Sequence, residues 1–217
     1  MTVTDVLNYV RRHHNEENAQ TPNWSDAELY QLIEAKCNEV ISVIGLIEGK
    51  DTSTTTVNGT SDYAYPTNFV RIRRVWFDGL PLKYVGFRQY ESRRPTGVAT
   101  TGTPREFLLW NNTISLIPTP SSAVTLTIFG EKKQSAITDA SGTIDIPALF
   151  HHAICDALIS EMYMKDENSG AARFYQDKWL NVHIPAMKEY VKRRRRRGLP
   201  GTVIDTDSVQ ETEFGVI

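Results

Sequence analysis

The most informative part of this chain is residues 63–82, which read YAYPTNFVRIRRVWFDGLPL. Apolar residues alternate with arginines over residues 70–73, before an apolar run at 75–77. Alternation of this kind is typical of a half-buried β-strand. Asp78-Gly79 follows at once, and this dipeptide between two apolar runs favours a tight hairpin turn. The stretch therefore predicts a β-hairpin whose return strand begins at Leu80.

Strand-like composition continues on both sides of this hairpin, from Thr52 to about Gln134. β-Branched and aromatic residues dominate the region, and Gly and Pro interrupt it at short intervals. Asn111-Asn112 separates two further apolar runs, at 107–110 and 113–117, and predicts a second hairpin. We expect a β-rich insertion with at least five strands.

Helical periodicity brackets the β-rich region. Upstream, apolar residues recur at helical spacing over residues 3–10 and again over 29–44. Ser25 and Glu28 match a capping box, so the second helix should begin next to Ser25. Downstream, the spacing returns at Ile146-Pro147, and a last helix runs through residues 175–190 into a basic run.

The last helix contains Pro185, whose ring removes an amide donor and clashes with the carbonyl of Asn181, so we expect a kink or break there. After Arg197, Gly and Pro residues cannot continue a helix. The predicted fold class is α+β, a four-helix bundle with an inserted β-rich domain and an extended C-terminal tail. The predicted parts are residues 1–50 and 141–197 for the two halves of the bundle, 51–140 for the insertion and 198–217 for the tail.

Composition limits the size and setting of the protein. With 217 residues, 40% of them hydrophobic, the chain can form one ordinary core or two small ones. Cys37 and Cys155 fall in apolar helical patterns, where buried thiols are expected and a disulfide is the alternative. No stretch approaches the roughly 20 apolar residues of a membrane helix, and the N-terminus lacks a signal-peptide layout. We therefore expect a protein that is neither secreted nor membrane-bound.

The sequence lacks the motifs of common enzyme classes: a glycine-rich phosphate loop, a paired-cysteine metal site, HExxH or a nucleophile elbow. The adjacent pairs His13-His14 and His151-His152 would project about 100° apart on a helix, so neither pair suits a single metal ion. We expect no enzymatic activity, no metal and no cofactor. A small hydrolase with a site spread over the β-rich region is the remaining enzymatic hypothesis.

The most unusual feature is a run of basic residues near the C-terminus. The net charge of −2 is made up of −4 over residues 1–191, +6 over residues 192–197 and −4 over residues 198–217. Consecutive positive charges repel one another, and a partner that supplies negative charge relieves this repulsion. Three interpretations are open: an acidic protein surface, nucleic-acid phosphates, or solvation alone; the planar arginine fork suits the first two. The acidic segment behind the run ends in apolar residues that can become ordered on a partner.

Two further sequence segments follow residues 63–82 along the chain. Residues 102–120 contain a Gly-x-Pro entry, an apolar strand, a tight turn and a return strand bounded by prolines, and Ile146-Pro147 opens the third helix. With these three segments in this order and at this spacing, the chain resembles the head-to-tail adaptor family of tailed phages over residues 1–197. The resemblance implies a non-enzymatic virion protein of the head-tail junction, made in the host cytoplasm.

The same resemblance implies partners and contact residues. Subunits would form a homo-oligomeric ring, a dodecamer, between the portal protein and the tail hub or nozzle protein, with DNA passing through its channel without sequence-specific binding. The last helix and tail would dock on the portal. Because each subunit of a ring must cover both flanks, we also expect aromatic residues of the insertion to be tail-facing or ring contacts, and core packing is the alternative for each of them. The alternative hypothesis is a nucleic-acid-binding module that uses the arginine run, which the net charge disfavours. The portal-docking residues are Lys192, Arg193, Arg194, Arg195, Arg196, Arg197, Phe214, Val216 and Ile217; the aromatic contacts are Trp76, Phe77, Phe87 and Tyr90.

Overall fold

The computed structural model describes residues 1–14, 23–92 and 100–197, with side chains up to Arg195. The α-helices are α1 Val3–His13, α2 Asp26–Ile44, α3 Phe87–Ser92, α4 His151–Lys165, α5 Ser169–Lys178 and α6 Ile184–Arg197. The strands are β1 Glu48–Asp51, β2 Asp62–Ala64, β3 Phe69–Phe77, β4 Leu80–Pro81, β5 Lys83–Tyr84, β6 Thr101–Gly102, β7 Glu106–Trp110, β8 Thr113–Ile117, β9 Thr119–Pro120 and β10 Leu126–Lys132. A 3₁₀ turn at Ala148–Phe150 precedes α4, and a π-turn at Trp179–His183 joins α5 to α6.

Side-chain caps set the start of the first two helices. Thr2 and Asp5 form a capping box on α1, and Ser25 and Glu28 form one on α2, so each box satisfies amide donors that the first turn leaves open. The predicted start of α2 next to Ser25 is confirmed. The same helix ends at Gly45, whose φ of 66° is in the left-handed region that glycine adopts at little cost.

Both predicted hairpins are confirmed. Asp78 and Gly79 connect β3 to β4 with φ angles of 49° and 73°, and Asn111 and Asn112 connect β7 to β8 with φ angles of 46° and 56°. Positive φ at both central residues is the requirement of the tight turn that fits the twist of antiparallel strands. Asp and Asn accept this conformation more readily than other non-glycine residues.

Two four-stranded sheets form a sandwich. The first sheet has the order β1-β10-β3-β4 and the second the order β2-β8-β7-β5; β6 and β9 form a small separate pair. Apolar side chains from both larger sheets share one core, which is the usual way in which two sheets bury their inner faces. This core contains Tyr63, Ile72, Val75, Phe77, Leu82, Phe107, Ile114, Leu116, Leu126 and Ile128.

A second core is formed by the helices. Apolar residues of α1, α2 and α4 fill it, together with Met187 and Val191 of α6. Cys37 and Cys155 are free thiols inside this core, as the helical patterns predicted. Burial raises the pKa of both thiols to about 12, so they remain protonated at neutral pH and are poor nucleophiles. No helix among the described residues is long and apolar enough to cross a membrane.

The predicted four-helix bundle is wrong, although the α+β class is consistent with the structure. In the described part of the chain, five helices (α1, α2, α4, α5 and α6) form the helical part, and a short additional helix, α3, lies among the strands. The predicted fourth helix is divided in two by the π-turn. The physical reason is Pro185, which cannot donate the regular backbone hydrogen bond and crowds the turn before it.

The π-turn also brings two basic side chains to one carboxylate. The Ile184 amide donates to the Trp179 carbonyl, so residues five apart lie on the same side, whereas in an α-helix they would point about 140° apart. Lys178 Nζ and His183 Nε2, five residues apart, both lie 2.7 Å from Oδ2 of the buried Asp156 on α4. The hydrogen bond to Asp156 raises the pKa of Lys178. These contacts fasten the last helical segment to α4.

Candidate functional site

The arginine run lies on the last turns of α6, and its members do not share one environment. Met187 and Val191 are buried on the helical core. Arg194 and Arg195 follow Val191 by three and four residues, so they continue the inward side of the helix. Lys192 and Arg193 are exposed, and Arg193 Nε donates to Glu189 Oε1 at 2.9 Å within the same helix.

Arg194 binds the chain at the beginning of the β-rich part. Its Nη2 donates to Glu48 on β1, and its Nη1 lies 3.5 Å from the carbonyl oxygen of Leu46. Both side chains of the Arg194–Glu48 ion pair are partly exposed, at 40% and 42%. Exposed pairs of this kind contribute about 1 kcal/mol or less.

Arg195 lies beside a carboxylate that already has a partner. Glu131 on β10 is only 5% exposed, and it accepts from Nε of Arg73 on β3 at 3.0 Å and from Nη2 of the same arginine. Arg195 Nη2 is farther away, at 3.3 Å from the same oxygen. The Nε atom of Arg195 is buried and has no hydrogen-bond partner in the described part of the chain. Arg73 is therefore the main partner of Glu131, and Arg195 is a weaker second one.

Glu131 lies on the face of β10 opposite to the β core, and it is buried because the end of α2 and Arg195 of α6 lie against it. The pairing of β10 with β3 is irregular here, since the register leaves Val70 and Arg73 of β3 without an opposite residue, and bulges of this kind redirect side chains of the bulged strand, here Arg73. Gly130 is needed at this point, because a Cβ there would overlap the carbonyl oxygen of Arg71 and lie 2.7 Å from the ring of Phe69.

The two carboxylates face each other across neighbouring strands. Glu48 of β1 is directly opposite Glu131 of β10 in the antiparallel register, and like charges in this position repel. Arg194 and Arg195, which are adjacent in sequence, supply one cation to each carboxylate. The arrangement therefore closes the end of α6 onto the first sheet through charge neutralisation.

A separate exposed surface is formed by three aromatic side chains, the aromatic cluster Phe87, Tyr90 and Trp110; Tyr84 on β5 is also exposed, and its ring packs on Phe107 of β7. The rings of Phe87 and Trp110 are 4.8 Å apart between centroids, and those of Phe87 and Tyr90 are 6.5 Å apart. Tyr84, Phe87 and Trp110 are 44%, 41% and 60% exposed. Because burying exposed aromatic rings against a partner is favourable in free energy, the cluster is a candidate contact surface.

The residues named from the sequence thus fall in different places. Phe87 and Tyr90 belong to the aromatic cluster, whereas Phe77 is buried in the β core. Trp76 packs against Phe129, and the centroids of the two rings are 5.2 Å apart. The side chains of Arg196 and Arg197 and all of Phe214, Val216 and Ile217 lie outside the described residues.

Several site residues were not predicted from the sequence. Helical spacing from Val191 could have shown that Arg194 and Arg195 face inward. Nothing in the sequence indicates that Glu48 and Glu131 would be their partners, because the pairing of β1 with β10 joins segments that are distant in the chain, and Glu48 and Glu131 themselves are 83 positions apart. In the described part of the chain, no group of three or more His, Cys, Asp or Glu side chains could hold a metal ion.

Exposed aromatic and apolar side chains, together with a basic helix end, define a protein whose surface is suited to contact other proteins. A family model described as SU10 adaptor protein matches residues 1–203, and the chain belongs to this family of phage head-to-tail adaptors. It is a structural adaptor protein of a bacteriophage virion with a role in tail assembly, and its family is typically non-enzymatic. The resemblance seen in the sequence is confirmed. No curated protein matched the chain.

Proposed function

We propose that the protein is a head-to-tail adaptor whose subunits form a ring beneath the portal and join it to the tail hub or nozzle. DNA passes through the centre of this ring without sequence-specific binding. The observation that carries the proposal is the match to the adaptor family over residues 1–203. In this assignment the protein has no catalytic role.

Exposed apolar side chains on the helical part support the ring. Such a ring needs a contact surface on each flank of the subunit. Among the described residues of the helical part, six large apolar ones are more than half exposed, and Met164 and Leu180 line one surface pocket, so apolar surface is available to a neighbouring subunit. The six residues are Val43, Leu149, Met164, Phe174, Leu180 and Val182.

The basic end of α6 is the proposed portal-docking site. Lys192 and Arg193 point away from the core, and the Arg193 side chain is 71% exposed. A run of arginines suits carboxylates on an acidic protein surface because each guanidinium can bind a carboxylate through two nitrogens. The apolar C-terminal residues Phe214, Val216 and Ile217 are proposed to anchor on the same partner.

The β-rich part is the proposed contact with tail components. Phe87 and Tyr90 lie in the aromatic cluster, and we extend the proposed contact to Tyr84 and Trp110, which are more exposed than most aromatic side chains. Aromatic residues are enriched in the buried centres of protein interfaces.

The docking assignment is tested by titrating the protein onto immobilised portal rings of the same phage. A chain that ends at Val191 should lose binding, because it lacks the basic run and the C-terminal segment. The double variant Lys192→Gln/Arg193→Gln, which keeps Arg194 and Arg195, should bind about tenfold more weakly, since charges at an interface steer and hold a complementary partner.

A chain that ends at Arg197 separates the basic run from the apolar anchor, and circular dichroism shows whether each shortened chain is folded. Full binding by the folded chain that ends at Val191 would remove the docking site from the C-terminal region. Tight binding of short duplex DNA that weakens steeply with salt, without portal binding, would favour the nucleic-acid hypothesis instead.

A further inference from the structure

We propose that Glu48 and Glu131 act as a carboxylate latch, which holds Arg194 and Arg195 in the isolated subunit and releases them when carboxylates of the partner take their place. This inference deepens the proposed portal docking and rests on it. The latch divides the basic run into an outer part, Lys192 and Arg193, and a closed part, Arg194 and Arg195, whose guanidinium groups bind the strand carboxylates although the Arg194 side chain is 40% exposed.

The closed part is held by charge, and each carboxylate tolerates its release. Glu131 would keep Arg73, which binds it through two nitrogens, so the departure of Arg195 would not leave a buried charge without a partner. Glu48 is 42% exposed and would be hydrated by water. Opening the latch therefore leaves neither carboxylate buried without a partner.

The closed state also leaves Arg195 incompletely satisfied. Arg195 reaches Glu131 only through one contact at 3.3 Å, and its Nε is a buried donor with no hydrogen-bond partner among the described atoms. A buried donor without an acceptor is unfavourable. A carboxylate that binds the guanidinium through Nε and one terminal nitrogen would remove this defect.

The occupant that fits is an acidic protein surface. Glu48 and Glu131 are opposite each other on paired strands, and consecutive arginines of α6 bind them. A partner that presents two carboxylates at similar spacing reproduces the contacts that the latch already makes. Lys192 and Arg193 are exposed without opening the latch, so they can make the first contact.

The test compares Glu48→Gln with Glu39→Gln in the full-length chain. Both substitutions remove one partly exposed carboxylate that forms an ion pair: Glu48 with Arg194, and Glu39 with Lys36 at 3.3 Å. If Arg194 is released, Glu48→Gln should bind portal rings about 1.5-fold to fivefold more tightly than the wild type, the factor that corresponds to an exposed ion pair. Glu39→Gln should bind like the wild type.

Hydrogen exchange of the backbone amides at residues 192–195 tests the latch without the portal. Exchange should be faster in Glu48→Gln by a similar factor and unchanged in Glu39→Gln. Unchanged exchange, or portal binding by Glu48→Gln that is equal to or weaker than that of the wild type, would overturn the latch. If the wild type itself does not bind portal rings while exchange responds as expected, the docking proposal fails and the intramolecular latch stands. If Glu48→Gln instead gains affinity for duplex DNA, the acidic-protein occupant is wrong.

Discussion

Glu131 shows how a single residue can connect the two parts of the subunit. It belongs to β10, yet it contacts Arg195 of α6 and lies so close to the end of α2 that a Cβ at Gly45 would overlap its carboxylate. The alternating pattern of β10 places Glu131 on the face opposite to the β core, and it did not predict that this face is buried, because the burial depends on contacts with the distant helices α2 and α6. By contrast, helical periodicity from Val191 is enough to place Arg194 and Arg195 on the side of α6 that contacts the strands.

The close approach of the β3 backbone to β10 leads to a prediction about Gly130. Gly130→Ala should lower the free energy of unfolding by about 1–3 kcal/mol, because the new methyl group meets fixed backbone at Arg71 and cannot be relieved by a rotamer change. Urea denaturation followed by tryptophan fluorescence measures the change. Gly86→Ala is the matched control, since a Cβ at Gly86 has open space around it. Equal stability of the two variants would contradict the close approach at Gly130.

The last helical segment is the element that the sequence predicted only in part. Pro185 correctly indicated an interruption, but a π-turn keeps the chain helical through it and directs Lys178 and His183 to Asp156. This outcome depends on a carboxylate of α4, whose position relative to α5 is a tertiary feature. The hairpins of β3/β4 and β7/β8 were predictable because their turn residues act locally, whereas α3 has only six residues and carries too little periodicity to be recognised.

The contacts of the π-turn lead to a second prediction. Asp156→Asn should lower the free energy of unfolding by about 1–3 kcal/mol, because it replaces two charge-assisted hydrogen bonds of a buried acceptor by weaker neutral ones. Asp177→Asn is the control, since Asp177 is exposed on α5 and should change stability by no more than about 0.5 kcal/mol. If both variants unfold at the same urea concentration, the Asp156 contacts do not stabilise the last helical segment.

For the whole molecule, the sequence was sufficient for the α+β class and for the family, because both depend on the order of local patterns along the chain. It was not sufficient for the arrangement of helices or for the division of the strands into separate sheets. Those features depend on pairings between distant segments, such as β1 with β10 and β2 with β8. The division of the chain at residues 50, 140 and 197 stays a prediction, and the predicted tail lies outside the described residues.

The subunit combines surfaces that serve different contacts in the proposed assembly. Exposed apolar side chains of the helices face neighbouring subunits, the aromatic cluster faces tail components, and the end of α6 faces the portal. The carboxylate latch would keep the most basic of these surfaces partly closed until the partner is present, which limits binding to other polyanions in the cell.

The adaptor assignment is tested most directly by mass photometry of the full-length protein mixed with portal rings of the same phage, beside each component alone. The account predicts a new species whose mass exceeds that of the portal ring by a whole number of adaptor subunits. This number should be the same in repeated measurements. A mixture that shows only the portal ring and the unbound protein, with the protein in molar excess over the portal subunits, would contradict it.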